Sequence, residues 1–163
     1  MSDNHPTQSF PDVAEYGEPA IRVMMMPKDT NAMGTIFGGL ILSYIDQAGA
    51  VEAHKCTNGL LLTVAVHEVD FVAPVFVGDL VSFYARTLRR GRTSISVHVL
   101  VTAERRLRGG DKVIVTQAEV VYVQVDDQGR PTPLPAEVPD GSPCGDDPAT
   151  PEGRTDNNPS KLR

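Results

Sequence analysis

Two kinds of hydrophobic pattern follow each other along the chain. Residues 40–53 are almost continuously apolar, with Asp46 in their middle, and the glycine-rich segment 29–39 leads into them. Such a segment is too apolar for a surface helix and too short and interrupted to span a bilayer. It therefore predicts a helix that protein covers on most sides and that ends near residues 55–59.

The residues after this helix have the pattern of strands separated by short turns. Residues 93–104 alternate between an apolar and a polar face, which is the period of a half-buried strand. The apolar face carries Ile95, Val97, Val99 and Val101, and the polar face carries Ser94, Ser96, His98 and Thr102. Further strands are predicted at 20–26, at 60–73 as one long strand or a bent pair, at 80–88 and at 112–125.

The order of these elements predicts the fold class. Four consecutive strands with short turns form an antiparallel meander, and the apolar face of such a sheet must be covered. The apolar helix is the only element available to cover it. We therefore predict an α+β domain in which a curved sheet wraps around one central helix.

Charge divides the chain into a core and two acidic ends. The whole chain has a formal net charge of -6, but residues 19–125 carry more bases than acids. We predict a folded domain at 19–134, an acidic flexible arm at 1–18 and a disordered acidic tail at 135–163. A local basic surface on an acidic protein favours a small anionic ligand over nucleic acid.

The cysteines and the amino terminus bear on the compartment. Cys56 and Cys144 have no metal or redox spacing and favour a reducing compartment. No basic segment followed by an apolar run opens the chain, and no apolar stretch has membrane length. We therefore expect a cytoplasmic protein with no metal site and no membrane or nucleic-acid partner.

The spacing of a glycine pair and an acid in the predicted helix suggests chemistry. Gly38 and Gly39 stand where it begins, and free backbone amides at the positive end of a helix can form an oxyanion site. Asp46 follows Gly39 by seven residues, which separates them by roughly 10 Å along the axis. One helix does not bring both to one carbonyl carbon, whereas two antiparallel helices related by a two-fold axis do. The spacing therefore predicts a homodimer with two composite sites.

Three motifs resemble one family. N-A-M-G-T-I-F-G-G at 31–39, D-F-V-A-P-V-F-V-G-D at 70–79 and G-R-T-S at 91–94 resemble the hotdog-fold acyl-CoA thioesterases. The similarity is greatest to the short bacterial acyl-CoA hydrolases, which are related to the larger brain and cytosolic enzymes. The resemblance implies an antiparallel five-stranded sheet around one long helix, dimers with a ten-stranded sheet, and assembly into tetramers or hexamers.

The same resemblance implies an activity and roles for single residues. The activity is hydrolysis of acyl-CoA, as in fatty acid metabolism, to free CoA and a carboxylic acid, with no cofactor because CoA is part of the substrate. Asp46 corresponds to the catalytic carboxylate, and Asn31 to a polar residue that places substrate or water. Gly39, with Gly38 beside it, corresponds to the amide donor to the thioester oxygen. The CoA moiety is held at Arg89, Arg90, Gly91, Arg92, Thr93 and Ser94.

Alternatives remain at this stage. Asp46 either takes a proton from water, which we favour, or attacks the carbonyl to form a transient anhydride. The position of Asp46 is also consistent with a structural buried acid, and that of Asn31 with a residue that shapes a turn. The same fold serves hydratases or dehydratases, and non-catalytic acyl-CoA binding modules.

Overall fold

One long helix packs on one five-stranded sheet. The computed structural model describes residues 11–138 and Cys144. The strands follow the order β1-β3-β4-β5-β2 with every pairing antiparallel, and α1 contacts β3, β4 and β5. This arrangement confirms the α+β class. The elements are β1 (Ile21–Met24), α1 (Gly38–Ala53), β2 (Leu60–His67), β3 (Leu80–Arg90), β4 (Ser94–Glu104) and β5 (Lys112–Val125), with 3-10 turns at Val13–Tyr16 and Pro27–Asp29.

The prediction that four consecutive strands form a meander is wrong for β2. That strand pairs with β5 at one edge of the sheet, whereas β3 lies near the other edge beside β1. Among the described strands, only β3, β4 and β5 follow one another as hairpins. Residues 68–79 connect β2 to β3, and this segment is long enough to cross from one side of the sheet to the other.

The prediction of a strand extending to residue 73 is also wrong. β2 ends at His67, and Glu68 turns the chain with a φ of 54°. The residues beyond it are apolar because Val69 and Val75 pack against the main core, not because they pair in the sheet. An apolar run alone does not distinguish these two situations.

The main core lies between α1 and the inner face of the sheet. The predicted apolar face of β4 is fully buried there, with Ile95, Val97, Val99 and Val101 all at 0% exposure. Ile41, Ile45 and Ala48 face them from the helix. Each large aliphatic side chain buried in this way contributes about 1.5–3 kcal/mol relative to exposure.

The opposite side of α1 is not covered within one chain. Leu42 and Val51 on the helix are 39% and 50% exposed. The neighbouring edge strand is similar, since Leu62 and Val66 of β2 are 51% and 43% exposed. The predicted coverage of the helix on most sides is therefore incomplete in a single chain.

A second, smaller apolar cluster lies apart from the main core. Tyr16, from the 3-10 turn before β1, packs with Tyr84 and Leu100 of neighbouring strands. Its hydroxyl lies 2.6 Å from Nδ1 of His98. Burial, reinforced by the Arg86 charge, lowers the pKa of His98. Residues 1–10 of the predicted arm lie outside the described residues.

The segment after β5 is tied to the core at several points. Leu134 packs against the core and its amide donates to the Arg92 carbonyl at 2.9 Å. A disulfide joins Cys56, at the end of the helix region, to Cys144. The disulfide removes the support that the two cysteines gave to a reducing compartment, because that expectation rested on their spacing, and spacing along the chain does not show which residues meet. The remainder of the predicted tail, residues 139–143 and 145–163, is outside the described residues.

No helix in the described part of the chain combines the length and the apolar character needed to cross a membrane.

Candidate active site

Asp46 is held by hydroxyl groups of the sheet. Its Oδ1 accepts a hydrogen bond of 2.6 Å from Thr63 Oγ1. Its main-chain carbonyl accepts one of 2.6 Å from the Tyr122 hydroxyl, which also lies 3.5 Å from Oδ1. Thr63 and Tyr122 are directly paired positions of β2 and β5. Both the backbone and the side chain of Asp46 are thereby fixed relative to the sheet.

The second carboxylate oxygen of Asp46 is left for other partners. The side chain is partly exposed, and it forms no ion pair with any residue of the described chain. Within the same residues Oδ2 accepts no hydrogen bond. A carboxylate that is oriented through one oxygen and open at the other can accept a proton from a bound water.

The amino end of α1 offers free amides. Phe37 precedes the helix and supplies no side-chain cap, and its carbonyl accepts from the Leu40 amide at 3.0 Å. The amides of Gly38 and Gly39 have no acceptor within the described chain. Unpaired amides at a helix amino terminus, reinforced by the dipole, favour a developing negative charge.

A groove of about 320 Å³ lies beside these amides. Segment 71–75 forms one wall, and Ile36 and Ile41 contribute apolar side chains to the rest. Asp46 is not among its lining residues. In a single chain, therefore, the groove beside the amides does not contain the acid. The full lining is Thr35, Ile36, Gly38, Ile41, Phe71, Val72, Ala73, Pro74 and Val75.

The motif at 70–79 builds the groove wall. Arg105 donates to the Pro74 carbonyl at 2.6 Å and pairs with Asp79, whose Oδ2 also accepts from the Phe76 amide at 2.9 Å. The Ile36 amide donates to the Val75 carbonyl at 2.8 Å, which ties the wall to the glycine loop. Asp79 and Arg105 are thus structural residues that position the groove.

Asn31 shapes the loop before the helix. Its Oδ1 accepts from the amides of Met33 and Thr35, at 2.9 and 3.2 Å, and its Nδ2 donates to Thr35 Oγ1 at 2.8 Å. An asparagine amide has two N–H donors, so one remains after these contacts. Asn31 therefore forms the turn and retains one N–H donor that these contacts do not use.

The predicted CoA-binding turn joins β3 to β4. Gly91 donates to the Ser94 carbonyl at 2.8 Å and closes the turn, while the Thr93 carbonyl accepts from Gln124 of β5 at 2.8 Å. Arg90 is partly buried, and its guanidinium donates to the Pro135 carbonyl of the segment after β5. That contact occupies one of the three arginines predicted to hold phosphates.

The other two arginines of this turn are available. Arg89 and Arg92 have exposed side chains, and neither forms an ion pair among the described residues. Several of the remaining arginines are paired with acids instead, namely Arg22 and Arg106 with Glu104, Arg86 with Glu15, Arg105 with Asp79, and Arg130 with Asp126.

Two residues of this site were not predicted. Thr63 and Tyr122 reach Asp46 because β2 pairs with β5, and a meander would have separated them. The only signal in the sequence was a polar threonine within the apolar run of β2. The histidines have other partners: His54 Nδ1 lies 3.2 Å from the Thr57 carbonyl oxygen, and His98 Nδ1 lies 2.6 Å from the Tyr16 hydroxyl. Neither histidine is hydrogen-bonded to Asp46.

Comparison with known proteins identifies the family. The model of the thioesterase superfamily matches residues 33–110. The acyl-CoA thioester hydrolase YciA of Salmonella typhimurium is 41% identical over 128 residues, which cover 77% of this chain and 96% of that protein. The chain belongs to the acyl-CoA thioester hydrolases. The protein of the same name from Escherichia coli K12 is 40% identical over 123 residues, covering 74% of this chain and 93% of that protein.

Solved structures of thioesterases have the same fold. Cj0915, a hexameric hotdog fold thioesterase of Campylobacter jejuni, matches with a TM-score of 0.72 at 42% identity, over 76% of this chain and 95% of that chain. The hexameric thioesterase y2039 from Yersinia pestis matches with a TM-score of 0.69 at 40% identity, over 74% and 98%. These matches confirm the hotdog fold and the family that the motifs indicated.

Proposed function

We propose that this thioesterase hydrolyses acyl-CoA thioesters to free CoA and a carboxylic acid, without a cofactor. The observation that carries the proposal is a partly exposed carboxylate, Asp46, which Thr63 orients at 2.6 Å, on a helix whose first amides have no acceptor in the described chain. The acyl-CoA thioester hydrolase relatives support the substrate class. A hexameric broad specificity acyl-coenzyme A thioesterase, HI0827, is among the similar structures, at 40% identity and a TM-score of 0.70 over 74% of this chain and 83% of that chain.

The site is completed by a second copy of the chain. Asp46 follows Gly39 by seven positions, which places them roughly 10 Å apart along the helix axis. No carboxylate of the described residues lines the groove beside the amides. A two-fold partner whose helix runs antiparallel to α1 would supply its Asp46 at this point.

The exposed apolar surfaces support this assembly. Leu42 and Val51 on α1, and Leu62 and Val66 on the edge strand β2, are between 39% and 51% exposed in one chain. Pairing of two β2 edges would satisfy their unpaired backbone groups and give a ten-stranded sheet. The hexameric relatives from Campylobacter jejuni and Yersinia pestis support further assembly of such dimers.

The reaction then proceeds with named roles. The thioester oxygen accepts from the Gly39 amide, with Gly38 beside it, as the carbon becomes tetrahedral, and one such donor contributes about 2.7–4 kcal/mol. The partner's Asp46 takes a proton from the attacking water through its open oxygen. The C–S bond breaks, the electron pair leaves with sulfur, the proton held by the partner's Asp46 passes to that sulfur, and the carboxylic acid and CoA are released. The spare donor of Asn31 is placed in the loop before the helix, where it can orient substrate or water.

CoA is held by exposed bases at the β3–β4 turn. Arg89 and Arg92 supply the positive charge for its phosphates, while Thr93, Ser94 and Gly91 shape the turn that presents them. Arg90 has a mainly structural contribution because its guanidinium already binds the Pro135 carbonyl. Phosphate contacts are equally present in ground and transition states, so they act on KM more than on kcat.

A thiol-release assay tests the proposal. Purified protein is incubated with acyl-CoA substrates of increasing chain length, and free CoA is measured for the wild type, Asp46→Asn and a control variant, Asp127→Asn, whose acid is exposed. We expect CoA release by the wild type and the control, and a loss of at least a hundredfold in kcat for Asp46→Asn.

Other outcomes identify other functions. Water addition to an enoyl-CoA without CoA release would make the protein a hydratase. Binding of acyl-CoA without turnover would make it a binding module. Near-normal turnover by Asp46→Asn would remove this residue from the mechanism.

A further inference from the structure

We propose that Tyr122 is a positioning residue for Asp46, and that Gly49 has no side chain because the Tyr122 hydroxyl occupies that space. This inference rests on the proposed function, since it assigns a role within that reaction. Neither residue touches the substrate in the mechanism above; both act through the carboxylate.

Tyr122 and Thr63 hold Asp46 from two adjacent strands. The Tyr122 hydroxyl donates to the Asp46 carbonyl at 2.6 Å, and the Thr63 hydroxyl donates to its Oδ1 at 2.6 Å. The two residues face each other across the β2–β5 pairing. One contact fixes the helix backbone at this residue and the other fixes the side chain. Together they define where the open oxygen of Asp46 points.

The contact to the carbonyl is not needed to complete the helix. A carbonyl within an α-helix already accepts from the amide four residues later, which here is that of Ala50. The Tyr122 hydroxyl uses the second lone pair of the Asp46 oxygen. The tyrosine is 1% exposed, so its hydroxyl requires some buried partner. Among the carbonyls of α1, the partner in the structure belongs to the proposed catalytic residue.

Gly49 makes this approach possible. It lies three residues after Asp46, on the same face of α1, and is buried. A Cβ built there would overlap the Tyr122 hydroxyl and lie 3.2 Å from two ring carbons. Glycine inside a helix costs about 1 kcal/mol relative to alanine. Its φ is not positive, so close approach and not backbone conformation accounts for the glycine.

The hydroxyl remains a donor over the working range of pH. Burial, followed by the charge of Asp46, raises the pKa of Tyr122. The neutral O–H form is therefore the one that faces Asp46.

The first test separates positioning from general packing. Tyr122→Phe keeps the ring and removes only the hydroxyl, and we expect kcat to fall about tenfold with KM changed less than about twofold. Tyr84→Phe is the matched control. This buried tyrosine also loses one hydrogen bond, which Lys112 donates at 3.0 Å, but it lies in the second, smaller apolar cluster, apart from Asp46. It should lose similar thermal stability and retain full kcat.

The second test asks whether the effect passes through Asp46. The double variant Asp46→Asn with Tyr122→Phe should have the kcat of Asp46→Asn alone, because a residue that acts through the carboxylate has no effect without it. Gly49→Ala should lower kcat in the wild-type background, and by much less in the Tyr122→Phe background, where the overlapping hydroxyl is absent.

The outcomes distinguish this inference from the proposed function. Wild-type kcat in Tyr122→Phe, or a kcat loss equal to that of Tyr84→Phe, would overturn the positioning role while CoA release by the wild type still supports the hydrolase. An additive loss in the Asp46→Asn double variant would overturn it as well. Absence of CoA release by the wild type would instead overturn the proposed function.

Discussion

Replacement of Asp79 by alanine should destabilise the protein strongly. The Asp79 side chain is 2% exposed and pairs with Arg105, which is 11% exposed. Its Oδ2 also accepts from the Phe76 amide at 2.9 Å. The substitution thus leaves a nearly buried guanidinium without its anion and an amide without its acceptor.

The expected cost follows from these two losses. Removing one partner of a buried ion pair costs about 3–5 kcal/mol, because the other charge stays buried. An orphaned buried amide costs about 1–3 kcal/mol by itself. These contributions overlap since they share one oxygen, and we expect a total of about 4 kcal/mol. That is a large part of the roughly 5–15 kcal/mol by which domains are stable.

Two further variants separate the contributions. Asp79→Asn keeps an oxygen that can accept from the Phe76 amide, so it should lose mainly the ion pair. Asp79→Ala combined with Arg105→Met removes both charges, and it should be more stable than Asp79→Ala alone by about 1–2 kcal/mol.

Urea unfolding followed by circular dichroism measures these differences. All variants are compared at one protomer concentration, because the stability of an oligomer depends on concentration. Asp127→Ala, at an exposed acid, is the control and should change the free energy of unfolding by less than about 0.5 kcal/mol. A cost below about 1 kcal/mol for Asp79→Ala, or simple addition of the two single effects in the double variant, would refute the reasoning.

Three other predictions follow from the structure. Arg89→Ala and Arg92→Ala should each raise KM for acyl-CoA severalfold with little change in kcat, since both side chains are exposed beside the predicted phosphate site. Steady-state kinetics measures both constants, and a fall in kcat alone would contradict this prediction. Cys144→Ser should lower the free energy of unfolding by about 2–4 kcal/mol, because the disulfide to Cys56 closes a long loop. Dithiothreitol should destabilise the wild type but not the variant. An equal response of both proteins to dithiothreitol would argue against the disulfide. Burial holds the pKa of His98 below its usual value, so the unfolded chain binds the proton more readily than the folded chain. The free energy of unfolding should therefore decrease as pH falls below about 6.5, and it should decrease less in His98→Gln. Identical pH profiles of unfolding for the two proteins would contradict the assignment.

Local patterns predicted the individual elements well. β5 begins and ends where the alternation and the flanking turns placed it, at Lys112 and Val125. The helix was predicted from Leu40 and begins at Gly38. These features depend on periodicity and on glycine-containing turns, which are written into short stretches of sequence.

Features that depend on distant pairing were not predictable in this way. The position of β2 beside β5 required the crossing segment 68–79, whose apolar residues have the same pattern as a strand. Thr63 and Tyr122 meet at Asp46 only through that pairing. The Cys56–Cys144 disulfide likewise joins residues separated by 88 positions. No local pattern specifies such contacts, so they become visible only in the folded chain.

The central claim is that the amide donor and the acid of one site come from two different chains, and subunit mixing tests it most directly. Gly39→Pro removes the amide donor, and proline is tolerated in the first turn of a helix. Gly39→Ala is its control, because it keeps the amide and adds a Cβ that meets the same neighbour, the exposed ring of Phe37. Gly39→Pro and Asp46→Asn are each expected to be nearly inactive.

In a mixed dimer of these two variants, one site carries both changes and the other carries neither. Random co-assembly of equal amounts should therefore restore about a quarter of wild-type activity, since half of the dimers are mixed and each has one intact site of two. Recovery of that size is the predicted result. Activity of the mixture no higher than that of the separate variants would contradict the account, because it would mean that both groups of a site belong to the same chain.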